Sequence, residues 1–299
     1  VKIAIIDRIK TFSPIFAEHW KKKHEVTTSS TYVSVSATSD YYDIVYFDWA
    51  DGNCVEYFTN LNGKKRPKVI VRIRRYEAFD TGKMTKIDWD KVDEIVFNTE
   101  FLRNMCHAWY KVDKFKDAHI IPNGVDVSKW NFRERTGGNK IAMLAYWKER
   151  KNISMAMQIF ALLPPHYEFH LAGRWNDAVS RFLVDDSAMK LGIKNRVFVT
   201  DGLVDTDSYL DDKDYLLQTS TSEGVSNIVI ESMAKGIKPA IFNSLGQQGL
   251  YPRDCMFNHI LEAKDIIIDT SAYLSGLYRS YVDERYNRKE MLTKMDALL

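Results

Sequence analysis

Short apolar runs bounded by charged or turn-forming residues recur along the whole chain. They fall at residues 2–7, 42–48, 68–73 and 94–98, at 119–121, and again at 140–146, 167–173, 197–199, 214–218 and 238–243. Runs this short and apolar throughout predict strands buried on both faces. Between them the spacing changes to a helical period. Residues 13–23 place Ile15, Phe16 and Trp20 inward, with Pro14 suited to the first turn. Residues 100–110, 153–163, 179–191 and 226–236 follow as further helices. Strands alternating with helices predict parallel sheets and an α/β protein. From residue 262 the chain is amphipathic to its end, with Leu274, Leu277 and Tyr278 in one stretch and Met291, Leu292, Met295 and Leu298 in another.

Turn signals divide this series in two. In Pro122-Asn123-Gly124 the proline stops a strand, and Asn123 and Gly124 predict a sharp turn with positive φ. Trp130 and the polar run 133–139, with Gly137-Gly138, predict a linker. Residues 1–135 thus form one Rossmann-like half and 136–275 a second, leaving 276–299 as a terminal segment. A chain of 299 residues is long enough for two such cores.

Composition narrows the class further. The chain is 45% hydrophobic and 27% charged, as in a soluble globular protein. No run approaches the roughly 18–20 apolar residues of a membrane span, and residues 1–7 read as a strand, which makes the cytoplasm the expected compartment. Cys54, Cys106 and Cys255 are odd in number and widely spaced, the pattern of reduced thiols. A net charge of +2 gives no basic stripe for nucleic acid. Lys21-Lys22-Lys23, and Lys64-Lys65-Arg66 with Lys68, read first as solvated faces. Their sharper reading is a patch for an anionic acceptor or for peripheral contact with the inner membrane face.

The densest chemistry lies at residues 222–236. A buried strand enters a loop, Ser222-Glu223-Gly224-Val225, then a helix with Ser226 as N-cap and Gly236 at a left-handed C-cap. The helix N-terminus favours an anion such as a diphosphate, and Gly224 lets a ligand approach the backbone. Glu231 shares the polar face with Asn227 and Lys235, where its two oxygens can accept both hydroxyls of a ribose. Ligands of such sheets sit beyond the C-terminal strand ends, which directs attention to Arg74, Arg75 and Glu77 in the first half. Surface salt bridging is the plainer reading of each.

Ser-Glu-Gly followed by Glu-Ser-Met-Ala-Lys-Gly resembles the E-x7-E motif of the retaining family-4 glycosyltransferases, and Pro-Asn-Gly-Val-Asp at 122–126 resembles their domain junction. The resemblance implies a GT-B fold of two Rossmann-like domains facing across a cleft, with the last helix returning to the first domain. It implies a hexosyltransferase-like enzyme of class EC 2.4 with a nucleotide-diphosphate sugar as co-substrate and no metal. By the same resemblance, Glu231 holds the ribose and Lys151 the diphosphate. Glu223 serves catalysis with the backbone of Gly224, Val225, Ser226 and Asn227 around the donor sugar. Gly173, Arg174, Gly202 and Leu203 border the base. Arg74, Arg75 and Glu77 face a glycan, lipid-linked or small-molecule acceptor. The chain departs from the family where an arginine normally follows the strand at 141–145. Tyr146 or Trp147 stands there, so Lys148 or Arg150 must substitute. It also has no Gly-Gly pair after the first strand, and none of its histidines matches the one sometimes found near the sugar.

Two alternatives stand beside this reading. One is a catalytically silent nucleotide-sugar-binding partner subunit, motivated by the missing arginine; the other is a sugar-nucleotide epimerase on the same fold. Asp205-Thr206-Asp207 has the form of a metal-binding D-x-D but reads as a solvated loop and helix start. No Ser/His/Asp order suggests a hydrolase.

Overall fold

The computed structural model describes the chain except residues 11, 37–38 and 62–65, and omits the side chains of Ser36 and Ser39. Two compact units result, one of Val1–Asn123 with Lys289–Leu299 and one of Gly124–Arg288.

In the first unit, β1 (Lys2–Ile6), β2 (Glu25–Ser29), β3 (Ile44–Phe47), β4 (Lys68–Ile73), β5 (Glu94–Phe97) and β6 (His119–Ile120) form one sheet in the order β2-β1-β3-β4-β5-β6. Every pairing is parallel. The period of two sorts its side chains into two cores. Ala4, Ile6, Val45, Phe47, Val69 and Val71 face one way, while Ile3, Ile5, Ile44, Tyr46, Ile70 and Val96 face the other. On the second face lie Phe16, Ala17 and Trp20 of the helix Ser13–Trp20, together with Met291, Met295 and Leu298 from the end of the chain. Asp296 fixes that end. It accepts from Trp20 Nε1 at 2.9 Å and pairs with His19 Nε2 at 2.8 Å. The edge strand β2, Glu-Val-Thr-Thr-Ser, carries a single aliphatic residue, which explains why no apolar run marks it.

The second unit repeats the architecture with β7 (Lys140–Leu144), β8 (Glu168–Gly173), β9 (Val197–Asp201), β10 (Tyr215–Gln218), β11 (Lys238–Phe242) and β12 (Met256–Phe257). Their order, β12-β11-β10-β7-β8-β9, is that of a dinucleotide-binding sheet, and the direction of winding reverses between β7 and β10. These two strands pair through Tyr215↔Ile141 and Leu216↔Ala142. All four residues of β10 are buried, which is what a strand covered on both faces requires. Helix Ser275–Arg285 belongs to this unit, contributing Tyr278 and Val282 to its core.

Two local expectations are corrected. Neither Asn123 nor Gly124 has positive φ. Gly124 is required for close approach instead, since a Cβ there would lie 2.7 Å from Arg288 Cα. The run 133–139, expected as a linker, is held within the second unit by the buried Arg135. Its guanidinium donates to the carbonyls of Lys213 at 2.9 Å, Arg133 at 3.0 Å and Asp211 at 3.2 Å, and to that of Lys235.

All three cysteines are free and buried. Among the described residues, no helix is long and apolar enough to cross a membrane. Lys21, Lys22 and Lys23 are exposed. In the second basic run, Arg66 and Lys68 are engaged by Asp93 and Glu94, while Lys64 and Lys65 lie outside the described residues.

Candidate active site

Where the winding reverses, the loops after β7 and β10 are stitched together. Thr219 donates its hydroxyl to the carbonyl of Lys151 at 2.8 Å, and the Thr221 N–H donates to that of Arg150 at 2.9 Å. Local sequence dictates the shape of the first loop. Trp147 is buried, donating Nε1 to Ala172 O at 3.1 Å and stacking on Trp175 with ring centroids 4.7 Å apart. Tyr146 and Lys148 on either side are exposed. A 3₁₀ turn, Glu149–Lys151, then brings Arg150 and Lys151 back toward the sheet. Asn152, at φ 53°, caps the helix Ile153–Ala161. Asparagine tolerates that left-handed conformation better than most residues.

Both cations converge on one oxygen. Arg150 Nη1 and Lys151 Nζ each lie 2.5 Å from Glu223 Oε1, and Arg150 also donates to Ser222 O at 3.3 Å. The side chains of Glu223 and Lys151 are only 14% exposed, that of Arg150 33%. Burial pushes the Glu223 carboxyl upward in pKa, but Lys151 and Arg150 outweigh it and hold the group below the ordinary glutamate value. Of the two candidates for the displaced arginine, Arg150 reaches the cluster and Lys148 points to solvent.

Helix Asn227–Ala234 starts beside this cluster. Ser226 occupies the N-cap position, yet its side chain makes no capping bond; its N–H donates to Tyr251 OH at 2.8 Å. Gln247 Nε2 holds the carbonyl of Gly224 at 2.9 Å. A Cβ on Gly224 would meet nothing within 4 Å, so the loop leaves open space there. Val225 packs into the core and Asn227 is half-buried. Farther along, burial pushes the Glu231 carboxyl up to about 7, partly opposed by the charge of Arg288. Gly236 adopts φ 79°, as its place after the helix predicted. Lys235, expected on the polar face, is wholly buried and paired with Asp207 and with Asp211 at 2.6 Å, because the helix Thr206–Leu210 packs over it. Asp205 caps that helix through Ser208, which gives both carboxylates of the D-x-D a structural partner.

At the end of β8 and just past β9, Gly173 and Gly202 form a bridge and have φ 126° and 96°. A Cβ on Gly173 would fall 1.9 Å from Ala145 O, so only glycine fits. Arg174 and Leu203 are exposed, Leu203 by 75%. Trp175 is half-buried and donates Nε1 to Asp201 Oδ1 at 2.5 Å. Sequence reasoning passed over this tryptophan. Its signal was the pair Trp147 and Trp175, each just past the end of a strand.

The first unit carries its own buried polar cluster at the ends of β3 and β4. Arg74 pairs with Asp48 at 2.7 Å, both nearly inaccessible, and its guanidinium lies over the rings of Phe12 and Trp49 at 3.6 and 4.8 Å. Glu77 is buried and accepts from Ala50 N at 3.3 Å, while its Oε2 has no hydrogen-bond partner. Burial raises its pKa to about 7. Arg75 is half-buried on the following turn. The surface salt bridge expected for Arg74 is therefore a buried one.

Residues 125–250 match the family model described as Glycosyl transferases group 1. No curated protein matches the sequence. Among solved structures, HepE of Anabaena in complex with UDP is similar at a TM-score of 0.81 and 13% identity, over 99% of each chain. A lipopolysaccharide outer core galactosyltransferase in its apo form gives 0.76 at 13% identity, covering 100% of this chain and 99% of that one. Sucrose-phosphate synthase from Thermosynechococcus elongatus gives 0.76 at 12% identity, covering 99% and 98%. Two parallel six-stranded sheets with this strand order and these likenesses identify the fold as that of the GT-B glycosyltransferases.

Proposed function

We propose that the protein is a cytoplasmic, retaining glycosyltransferase that moves a sugar from a nucleotide-diphosphate sugar to a glycan, lipid-linked or small-molecule acceptor. The observation that carries the reading is the convergence of Arg150 and Lys151 on Glu223 at the reversal between β7 and β10, beside a helix N-terminus. Two partly buried cations and the positive end of a helix dipole suit a diphosphate without help from a metal. When the diphosphate takes the cations, the Glu223 carboxylate is free to hold the transferred sugar as charge separates at the anomeric carbon. Glu231, eight residues on, suits the ribose hydroxyls. Gly173 and Gly202 leave backbone accessible for the base, with Arg174 and Leu203 at its border.

Arg74, Arg75 and Glu77 are assigned to the acceptor side. Exposed Lys21, Lys22 and Lys23 are where an anionic membrane surface would touch the first unit. Three buried free thiols suit a reducing compartment.

Thermal shift with a panel of nucleoside diphosphates, with and without chelator, tests the donor site; at 100 times its dissociation constant, a ligand adds about 2.7 kcal/mol of stability. Incubation of nucleotide sugars with candidate acceptors, followed by anomeric NMR of the product, tests transfer and retention. Binding of no nucleoside diphosphate, binding that needs a metal, or an inverted product would each overturn the corresponding part. The silent-subunit reading rested on the missing arginine, and the position of Arg150 weakens that motive.

A further inference from the structure

The loop after β11 runs beside the one that carries Glu223, and Ser222 and Leu245 form a parallel bridge between them. Two of its side chains reach the backbone just beyond Glu223. Gln247 Nε2 donates to Gly224 O at 2.9 Å, and Tyr251 OH accepts from Ser226 N at 2.8 Å. Gln247 is wholly inaccessible and Tyr251 is buried. Their own loop is fixed in turn. Gln247 N donates to Ser244 O at 3.0 Å, and Arg285 Nη1 donates to Gly249 O at 3.3 Å from the end of the helix Ser275–Arg285.

Gln247 is the deciding residue. Gly224 O sets the orientation of its amide, because the flipped amide would set two acceptors against each other. That leaves Oε1 buried without a hydrogen-bond partner. Half an amide left unpaired is costly, and a methionine would fill the same space without that cost. What only the amide supplies is the donor to Gly224 O. A glycine restrains its own peptide least, so no side chain at position 224 does this in its place. In a planar trans peptide the C=O and N–H point opposite ways. Turning Gly224 O toward Gln247 therefore turns Val225 N–H away from it, and one hydrogen bond orients the backbone that directly follows Glu223.

We propose that Gln247 is a positioning residue of the transfer site, acting through the Gly224–Val225 peptide to aim Val225 N–H and to hold Glu223 in place for the donor sugar. That role rests on the glycosyl-transfer reading; the restraint on the peptide does not.

Gln247→Met keeps the volume and removes the donor. Hydrogen exchange on the full chain should be about tenfold faster at residues 222–227 in this variant and unchanged in β10 and β11. In transfer assays kcat should fall about tenfold or more while calorimetry finds the affinity for UDP unchanged, since misplacing a positioned group costs most in the transition state. Gln247→Glu, which can donate while its carboxyl is protonated, should recover at acid pH the kcat that Gln247→Met has lost. Unchanged exchange, an unchanged kcat or no recovery in Gln247→Glu would overturn the proposal, and transfer by the natural chain would leave the glycosyl-transfer reading standing. Exchange that quickens in β10 and β11 as well would make Gln247 a core residue only and overturn the proposal too. Faster exchange confined to residues 222–227, in a chain whose natural form transfers no sugar, would keep the restraint and remove the transfer reading together with the role of Gln247 in it.

Discussion

The two glutamates of residues 222–236 differ in surroundings more than in spacing. Glu223 is held ionised between two cations, whereas Glu231 is pushed toward neutrality by burial. A carboxylate beside the breaking bond matters most in the transition state, and one that binds ribose matters equally before and during it. Glu223→Gln should therefore lower kcat without weakening the nucleotide, and Glu231→Ala should chiefly raise KM. Steady-state kinetics with calorimetry of the nucleotide separates them, and an intact kcat in Glu223→Gln would remove that residue from the sugar. Arg150→Ala should weaken a nucleoside diphosphate tenfold or more but leave the nucleoside unchanged, since a charge-assisted contact carries roughly 1.5–3 kcal/mol. Lys148→Ala should do neither, and equal small effects from both would return the silent-subunit reading to favour. Glu77 links site to stability. Its folded pKa of about 7 lies above the ordinary 4.5, so the native state keeps a proton that the unfolded chain has already lost. Stability is then full below about pH 4.5 and falls as pH rises through about 7, by up to about 3 kcal/mol. Glu231 acts with the same sign. Urea titrations of Glu77→Gln across that range should show a shallower slope, and an unchanged slope would contradict the assignment.

At the scale of elements, the apolar runs marked most strands because parallel strands covered on both faces need no polar alternation. What stayed illegible was set by tertiary context. The edge strand β2 has too little buried surface to leave a pattern. Lys235 looks polar in sequence and is buried because Asp207 and Asp211, more than twenty residues away, reach it. Arg150 was legible only as one of two candidates, since the burial of Trp147, which sets the phase of the loop, depends on Trp175 after another strand. Gly173 was named from its place at a strand end, as a border to the base, but the need for glycine there, set by Ala145 O, was not legible. Gly173→Ala should destabilise the second unit by about 3 kcal/mol or more, because a methyl group would collide with Ala145 O at a φ that alanine rarely adopts. Thermal unfolding that leaves the second unit unaffected would refute this.

On the scale of the molecule, the first unit is discontinuous in sequence. Its second core face is completed by Met291, Met295 and Leu298, with Asp296 bonded to Trp20. Deleting residues 289–299 should lower the melting temperature of the first unit and shift Trp20 fluorescence toward the red, as the indole meets water. An unaltered transition would mean that this packing contributes little. The discontinuity has a further consequence for biosynthesis. The strands of the first unit leave the ribosome before those of the second, but the residues that complete one of their faces emerge only after all of Gly124–Arg288 has been made. The nascent first unit must wait with this second face incomplete and Asp296 not yet there to accept from Trp20, whereas the second unit, though younger, can close its core as soon as it is made.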